Sequence, residues 1–192
     1  MKELVFATHN ANKIKEIQNQ LIDSYKLIGL TDIGLHEDIP ETADTFEGNA
    51  LLKARYVWEK CGISCFADDS GLAVEALGGE PGVYSARYAG LQKNDNDNIA
   101  LLLKNLENIS NLNAQFHTVI TLMLNGEVHH FEGIIKGKII REKRGNHGFG
   151  YDPIFIPNGY DQTFAEMPLS EKNKISHRAR AVMKLIDFLN HA

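Results

Sequence analysis

DTFEGNALLKARYVWEKCGISCFADDSG, residues 44–71, places a helix pattern and a strand pattern in immediate succession. Asp44 and Glu47 stand three apart, as in a capping box, and Phe46, Ala50, Ala54, Val57 and Cys61 then recur on one helical face. Beyond Gly62 the apolar run Ile63-Ser64-Cys65-Phe66-Ala67 predicts a buried strand, and Asp68-Asp69-Ser70-Gly71 predicts a polar loop at its end. Toward the N-terminus, Leu4-Val5-Phe6-Ala7 stops at Thr8-His9-Asn10, after which Ile14, Ile17 and Leu21 follow at helical spacing. A strand, loop and helix followed by a helix and strand predict an α/β layered fold.

In the other direction, the stretch from Gly71 to Gly90 is rich in glycine and aromatic residues and predicts a long ordered loop. Ile99, Leu102, Leu103 and Leu106 mark a third helix. Phe116 to Leu124 and Val128 to Ile140 are β-rich runs, and Asn125-Gly126 between them is a hairpin signal because both residues tolerate positive φ. A glycine-rich loop from Arg144 to Pro153, a short Ile154-Phe155-Ile156 strand and the turn Pro157-Asn158-Gly159 lead to a closing helix. Ser176 is its expected N-cap, and Val182, Leu185, Ile186 and Leu189 form its apolar stripe. No repeat, linker or low-complexity segment divides the pattern, so a single domain over 1–192 is expected.

Composition narrows the function classes. With 192 residues and 43% hydrophobic content the chain can build a core, and disorder is excluded as its default state. No apolar stretch approaches the roughly 18 residues of a membrane span. The expectation is a soluble, unexported, cytoplasmic chain without a membrane partner. A net charge of −5 argues against broad capture of nucleic acid, so an anionic ligand must meet a local basic cluster or a metal. Cys61 and Cys65 fit neither a C-x-x-C redox pair nor a four-ligand zinc site and read as reduced, packed thiols.

Several familiar motifs are missing. Gly133 to Lys138 lacks P-loop spacing, Gly145-x-x-Gly148-x-Gly150 does not open a helix as a dinucleotide fingerprint would, and no G-x-S-x-G elbow occurs. Four polar segments remain. In Thr8-His9-Asn10-Ala11-Asn12-Lys13, helix-opening N–H groups and a lysine suit a phosphate, although on this segment alone a helix cap with a solvated lysine is the better reading. Asp68-Asp69-Ser70-Gly71 suits a divalent cation or a general base, with Glu41 as a third carboxylate; the alternative is an Asx turn. Gly148-Phe149-Gly150-Tyr151-Asp152-Pro153 suits a flat ligand stacked on an aromatic ring, or else fills the core. Glu171-Lys172-Asn173 and Ser176-His177-Arg178 put positive charge at a helix N-terminus, against the helix dipole, which is easier to explain if an anion binds there. His129-His130 reads as surface strand.

Together these segments resemble the inosine triphosphate pyrophosphatase family. The resemblance covers nearly the whole chain and is carried by Phe66-Ala67-Asp68-Asp69-Ser70-Gly71-Leu72, Gly82-Val83-Tyr84-Ser85-Ala86-Arg87-Tyr88, Gly148-Phe149-Gly150-Tyr151-Asp152-Pro153 and Ser176-His177-Arg178. Two departures stand out: Pro40 precedes Glu41 where many bacterial relatives look doubly acidic, and His9 stands where relatives often carry glycine. The resemblance implies an α/β fold with an elongated mixed sheet and flanking helices, two lobes around a central cleft, and a homodimer. It implies hydrolysis of ITP, dITP and XTP to the monophosphate and pyrophosphate without a covalent intermediate. By the same resemblance, Thr8, His9, Asn10, Ala11, Asn12, Lys13 and Lys172 hold the triphosphate, and Glu41 and Asp69 bind Mg2+ or Mn2+ with Asp68 nearby. Asp69 activates water, Ser70 completes the substrate contacts, and Phe149, Gly150, Tyr151, Asp152, His177 and Arg178 bind the base. Two other readings stay open: a metal-dependent phosphohydrolase of broader specificity, and a nucleotide sensor without turnover.

Overall fold

Helix α2, Phe46–Cys61, begins one residue later than the capping-box reading requires. Its N-cap is Thr45, whose hydroxyl accepts from the Gly48 N–H at 3.0 Å. It ends at Gly62, whose φ of 64° is the left-handed value favouring glycine. The strand that follows, β3, spans Cys65–Val74 and is buried on both faces along most of its length. It does not stop at Ala67: the segment 68–71 is strand, not loop. A central strand covered on both sides needs apolar neighbours, and here two carboxylates are accommodated because each finds its own polar partners.

The structure, a computed structural model, describes residues 2–21 and 25–191. Around β3 lies a mixed six-stranded sheet of order β2-β1-β3-β4-β5-β6. Strand β1, Lys2–Phe6, pairs in parallel with β2, Tyr25–Ile28, and with β3. Strands β4, Asn113–Leu124, and β5, Glu127–Ile139, form the expected hairpin, with φ of 52° at Asn125 and 89° at Gly126. A Cβ on Gly126 would stand 3.5 Å from the ring of Trp58 on α2. The edge strand β6, Phe155–Pro157, runs antiparallel to β5. The remaining helices are α1, Ala11–Gln18; α3, Asp95–Asn105; α4, Leu169–Ile175; and α5, His177–His191. The expected loop from Gly71 to Gly90 is instead the end of β3 followed by 3-10 turns at Glu75–Leu77 and Gly82–Arg87. None of the described helices is long and apolar enough to cross a membrane.

The chain divides into two compact units. The first takes Met1–Asp69, Thr118–Gly133 and Arg178–Ala192. In its core the Phe6 and Phe66 rings stack at 4.4 Å among Leu4, Ile17, Ile120 and Leu185, and a second cluster joins Val5, Ala54, Val57 and Met123. Truncating a fully buried phenylalanine of this kind costs about 3–5 kcal/mol. Cys65 lies in the second cluster, its thiol pushed up to about 12 by burial and then by Cys61; both cysteines are free thiols. The second unit, Ser70–His117 and Ile134–His177, centres on Leu72, Ile99, Leu102, Phe116, Phe155 and Phe164.

Candidate functional site

In the first unit, Lys13, Glu16, Glu41, Lys53 and Arg178 gather around Asp68 and Asp69, midway along β3. Successive residues of a strand point to opposite faces, so Asp68 and Asp69 need not share one environment. Asp68 accepts from Lys13 Nζ at 2.9 Å and from Arg178 Nε at 3.3 Å. Burial opposes its charge, but Lys13, Arg178 and Lys53 together hold its carboxyl well below the usual carboxylate range. Arg178, 2% exposed, also ion-pairs Glu16 of α1. The anion expected at the start of α5 is thus supplied by the protein's own carboxylates. Burial lowers the Lys13 ammonium, with Asp68 pulling it back up.

Asp69 has different partners. Asn49 of α2 donates to it at 3.0 Å, and Glu41 is near enough to interact with it electrostatically. Burial is the main reason its carboxyl is pushed up to about 6; Lys53 draws it down, and Glu41 drives it up again. Glu41 accepts from Lys53 Nζ at 3.2 Å, and although burial works against its charge, Lys53 and Lys13 hold it below its ordinary value. A carboxylate poised near neutrality beside a second, firmly ionised one is the arrangement a general base requires.

Among the described residues, no three His, Cys, Asp or Glu side chains gather to hold a metal ion. Asp68 is turned to its two cations, which leaves Glu41 and Asp69 as an oxygen pair. That pair fits Mg2+, which takes one or two carboxylates and completes its shell with water and substrate phosphate. Mn2+ accepts the same donors.

The segment 8–13 is more self-contained than the sequence suggested. Asn10 caps α1, its side chain accepting from the N–H groups of Asn12 and Lys13 at 3.0 and 3.2 Å, so these two N–H groups already have a partner. Thr8 Oγ1 accepts from Asn10 N–H at 3.1 Å, and the His9 ring N–H meets the Glu37 carbonyl at 3.1 Å. Ala11 opens the helix and Asn12 is exposed.

In the second unit, the loop before β6 is locked by Asp152, whose carboxylate accepts from Phe149 N–H at 3.1 Å and from Lys172 Nζ at 2.7 Å. Gly148, at φ +71°, lies so close that a Cβ there would collide with that carboxylate. Gly150 N–H donates to Asp95 at 2.8 Å. These bonds leave the backbone N–H groups of Phe149 and Gly150 engaged within the protein. Lys172, on α4 and not in a loop, sits 5.2 Å over the Phe149 ring and 5.5 Å over that of Phe164. Tyr151 donates its hydroxyl to the Ser85 carbonyl at 2.7 Å, and burial pushes that phenol upward. His177 is buried and stacks on Phe116 at 4.7 Å. Ser70 opens this unit, within β3. The neighbours His177 and Arg178 fall in different units. His129 packs on Phe188 and His130 meets Thr121, in keeping with a surface strand.

Sequence reading missed Glu16, Asn49 and Lys53. The last two carried a signal, because they sit among Phe46, Ala50 and Val57 on the inward stripe of α2, where polar residues need partners.

Comparison with known proteins adds an independent line. A protein-family model described as "Ham1 family" matches residues 4–188. The chain is 60% identical over 189 residues to a dITP/XTP pyrophosphatase of Flavobacterium psychrophilum, covering 98% of this chain and 100% of that protein. It is 61% identical over 187 residues to a dITP/XTP pyrophosphatase of Flavobacterium johnsoniae, covering 97% of each. A solved HAM1 protein from Coxiella burnetii superposes with a TM-score of 0.91 at 42% identity over 100% of both chains. The resemblance carried by the four sequence segments is borne out: the chain belongs to the Ham1 family.

Proposed function

We propose that this chain is a nucleoside triphosphate pyrophosphatase that hydrolyses non-standard purine nucleoside triphosphates, ITP, dITP and XTP, to the monophosphate and pyrophosphate. The names of its relatives point to this substrate class. The observation that carries the chemistry is Asp69, a buried carboxylate pushed up to about 6 beside Glu41 and Lys53. Asp69 takes the proton of a water attacking the α-phosphorus, and the bond to the bridging oxygen of the pyrophosphate breaks without a covalent intermediate. Lys13 and Lys53 balance the charge of the phosphate chain. Glu41 and Asp69 hold Mg2+ or Mn2+, which when bound neutralises phosphate oxygens and lowers the barrier to attack.

By the resemblance, Phe149 is the stacking ring for the base and His177 the donor to its 6-oxo group. Adenine offers an amino donor there, and an unsatisfied buried donor costs about 1–3 kcal/mol. The protein acts as a homodimer, as the resemblance implies.

The test is a turnover assay on ITP, XTP, dITP, GTP and ATP with products identified. kcat/KM for ITP or XTP is expected to exceed that for GTP and ATP by at least about tenfold, equivalent to roughly 1.4 kcal/mol. Excess EDTA after dialysis is expected to stop turnover, and added Mg2+ to restore it. Comparable rates on every triphosphate would favour a broad phosphohydrolase, and orthophosphate release would move the attack to the γ-phosphorus. Binding without turnover would indicate a sensor.

A further inference from the structure

Asn49 is completely buried, and both ends of its amide are engaged. Its Oδ1 accepts from the Ala43 backbone N–H at 2.9 Å, and its Nδ2 donates to Asp69 Oδ2 at 3.0 Å. The first bond fixes the second. A backbone N–H can only donate, so the oxygen of the amide must face Ala43, and the nitrogen is left pointing at the carboxylate.

The helix adds a second constraint. Lys53 stands one turn beyond Asn49 on α2, and neighbours at i and i+4 share a face. One face of one helix therefore reaches both acidic groups, the amide taking Asp69 and the ammonium taking Glu41 at 3.2 Å. Ala43 lies two residues from Glu41 in sequence, so the Asn49 amide also ties the segment carrying Glu41 to the strand carrying Asp69.

We infer that Asn49 is a positioning residue for the reaction: its amide, oriented by Ala43, holds the Asp69 carboxylate in one rotamer at a set distance from Glu41. The inference rests on Asp69 being the base. Asn49 itself has no exposed surface. A base must meet the proton it abstracts within hydrogen-bond reach, and small misplacements cost turnover more than binding.

Two variants separate the bonds. Asn49→Asp keeps the shape and the acceptor for Ala43 but removes the donor to Asp69. Asn49→Leu removes both bonds without adding charge. Both are expected to lower kcat by about tenfold or more while KM for ITP stays within about twofold. A crystal structure of either folded variant is expected to show the Asp69 carboxyl rotated from its wild-type rotamer. Wild-type kcat in Asn49→Asp, with a loss confined to Asn49→Leu, would show that the amide serves only the Glu41 segment and would overturn the inference. An unmoved Asp69 in the variant structure would overturn it too. Should Asn49→Leu fail to fold, Asn49→Asp decides alone. Asp69→Asn is assayed in parallel: if it is inactive while both Asn49 variants are normal, only this inference fails, whereas an active Asp69→Asn removes the reading beneath it.

Discussion

Replacing Asp69 by Asn is expected to lower kcat by at least about a hundredfold, the lower end of what a positioned general base contributes. The substitution changes little in shape, and Asn49 and Glu41 still offer it polar partners, so circular dichroism and the melting temperature should stay close to wild type. Near-normal turnover in such a folded variant would remove Asp69 from the mechanism. The pH profile supplies the sign. Asp69 must be ionised to accept a proton, and burial, with Glu41 adding to it, pushes it up to about 6. In the metal-free protein the carboxyl is therefore ionised above that value and protonated below it, and a divalent cation held by Glu41 and Asp69 draws the midpoint down. A carboxyl titration followed by NMR without Mg2+ should give a midpoint near 6; a midpoint near 4, the ordinary carboxylate range, would contradict the burial argument.

The second large effect is one of stability. Arg178 lies buried between Glu16 and Asp68. Arg178→Leu removes the cation and leaves two buried carboxylates, of which Asp68 keeps Lys13. Breaking one side of a buried ion pair costs about 3–5 kcal/mol, which for a chain of this size lowers the Tm by roughly 6–20 °C. Because Arg178 helps hold Asp68 below its unfolded value, that stabilisation is present above about pH 4 and fades as pH falls further. The gap between wild type and variant should be widest near pH 7 and narrow in acid. Thermal melts at both pH values measure it, and an unchanged Tm at pH 7 would show that the pairing contributes nothing.

How much of this could be read from the chain depends on the range of the interactions. α2 was legible because its apolar residues recur over four turns, and the β4–β5 hairpin because Asn125-Gly126 is a local signal. β2 was not: Tyr25–Ile28 is four residues long and half polar, and its pairing with β1 is what makes it a strand. α4 was missed because Leu169–Ile175 is short and rich in charge. The segment 68–71 looked like a loop because adjacent aspartates disfavour a buried strand; Lys13 and Arg178 at Asp68 and Asn49 at Asp69 make one possible. Arg178 lies 110 residues from Asp68, and no local pattern announces such a partner. Asp95, which takes the Gly150 N–H, lies 55 residues from it.

The packing of Trp58 under the Asn125-Gly126 turn gives the molecule a built-in optical probe. It is the chain's single tryptophan and belongs to the first unit, on the helix that carries Asn49 and Lys53. Indole emission therefore responds to the hairpin lifting off α2, while loosening around Phe149, Tyr151 and Lys172 leaves it dark. Far-ultraviolet circular dichroism sees the backbone of both units. Recording the two signals through one denaturant titration distinguishes a chain that melts as a whole, with coincident curves, from one whose units let go separately.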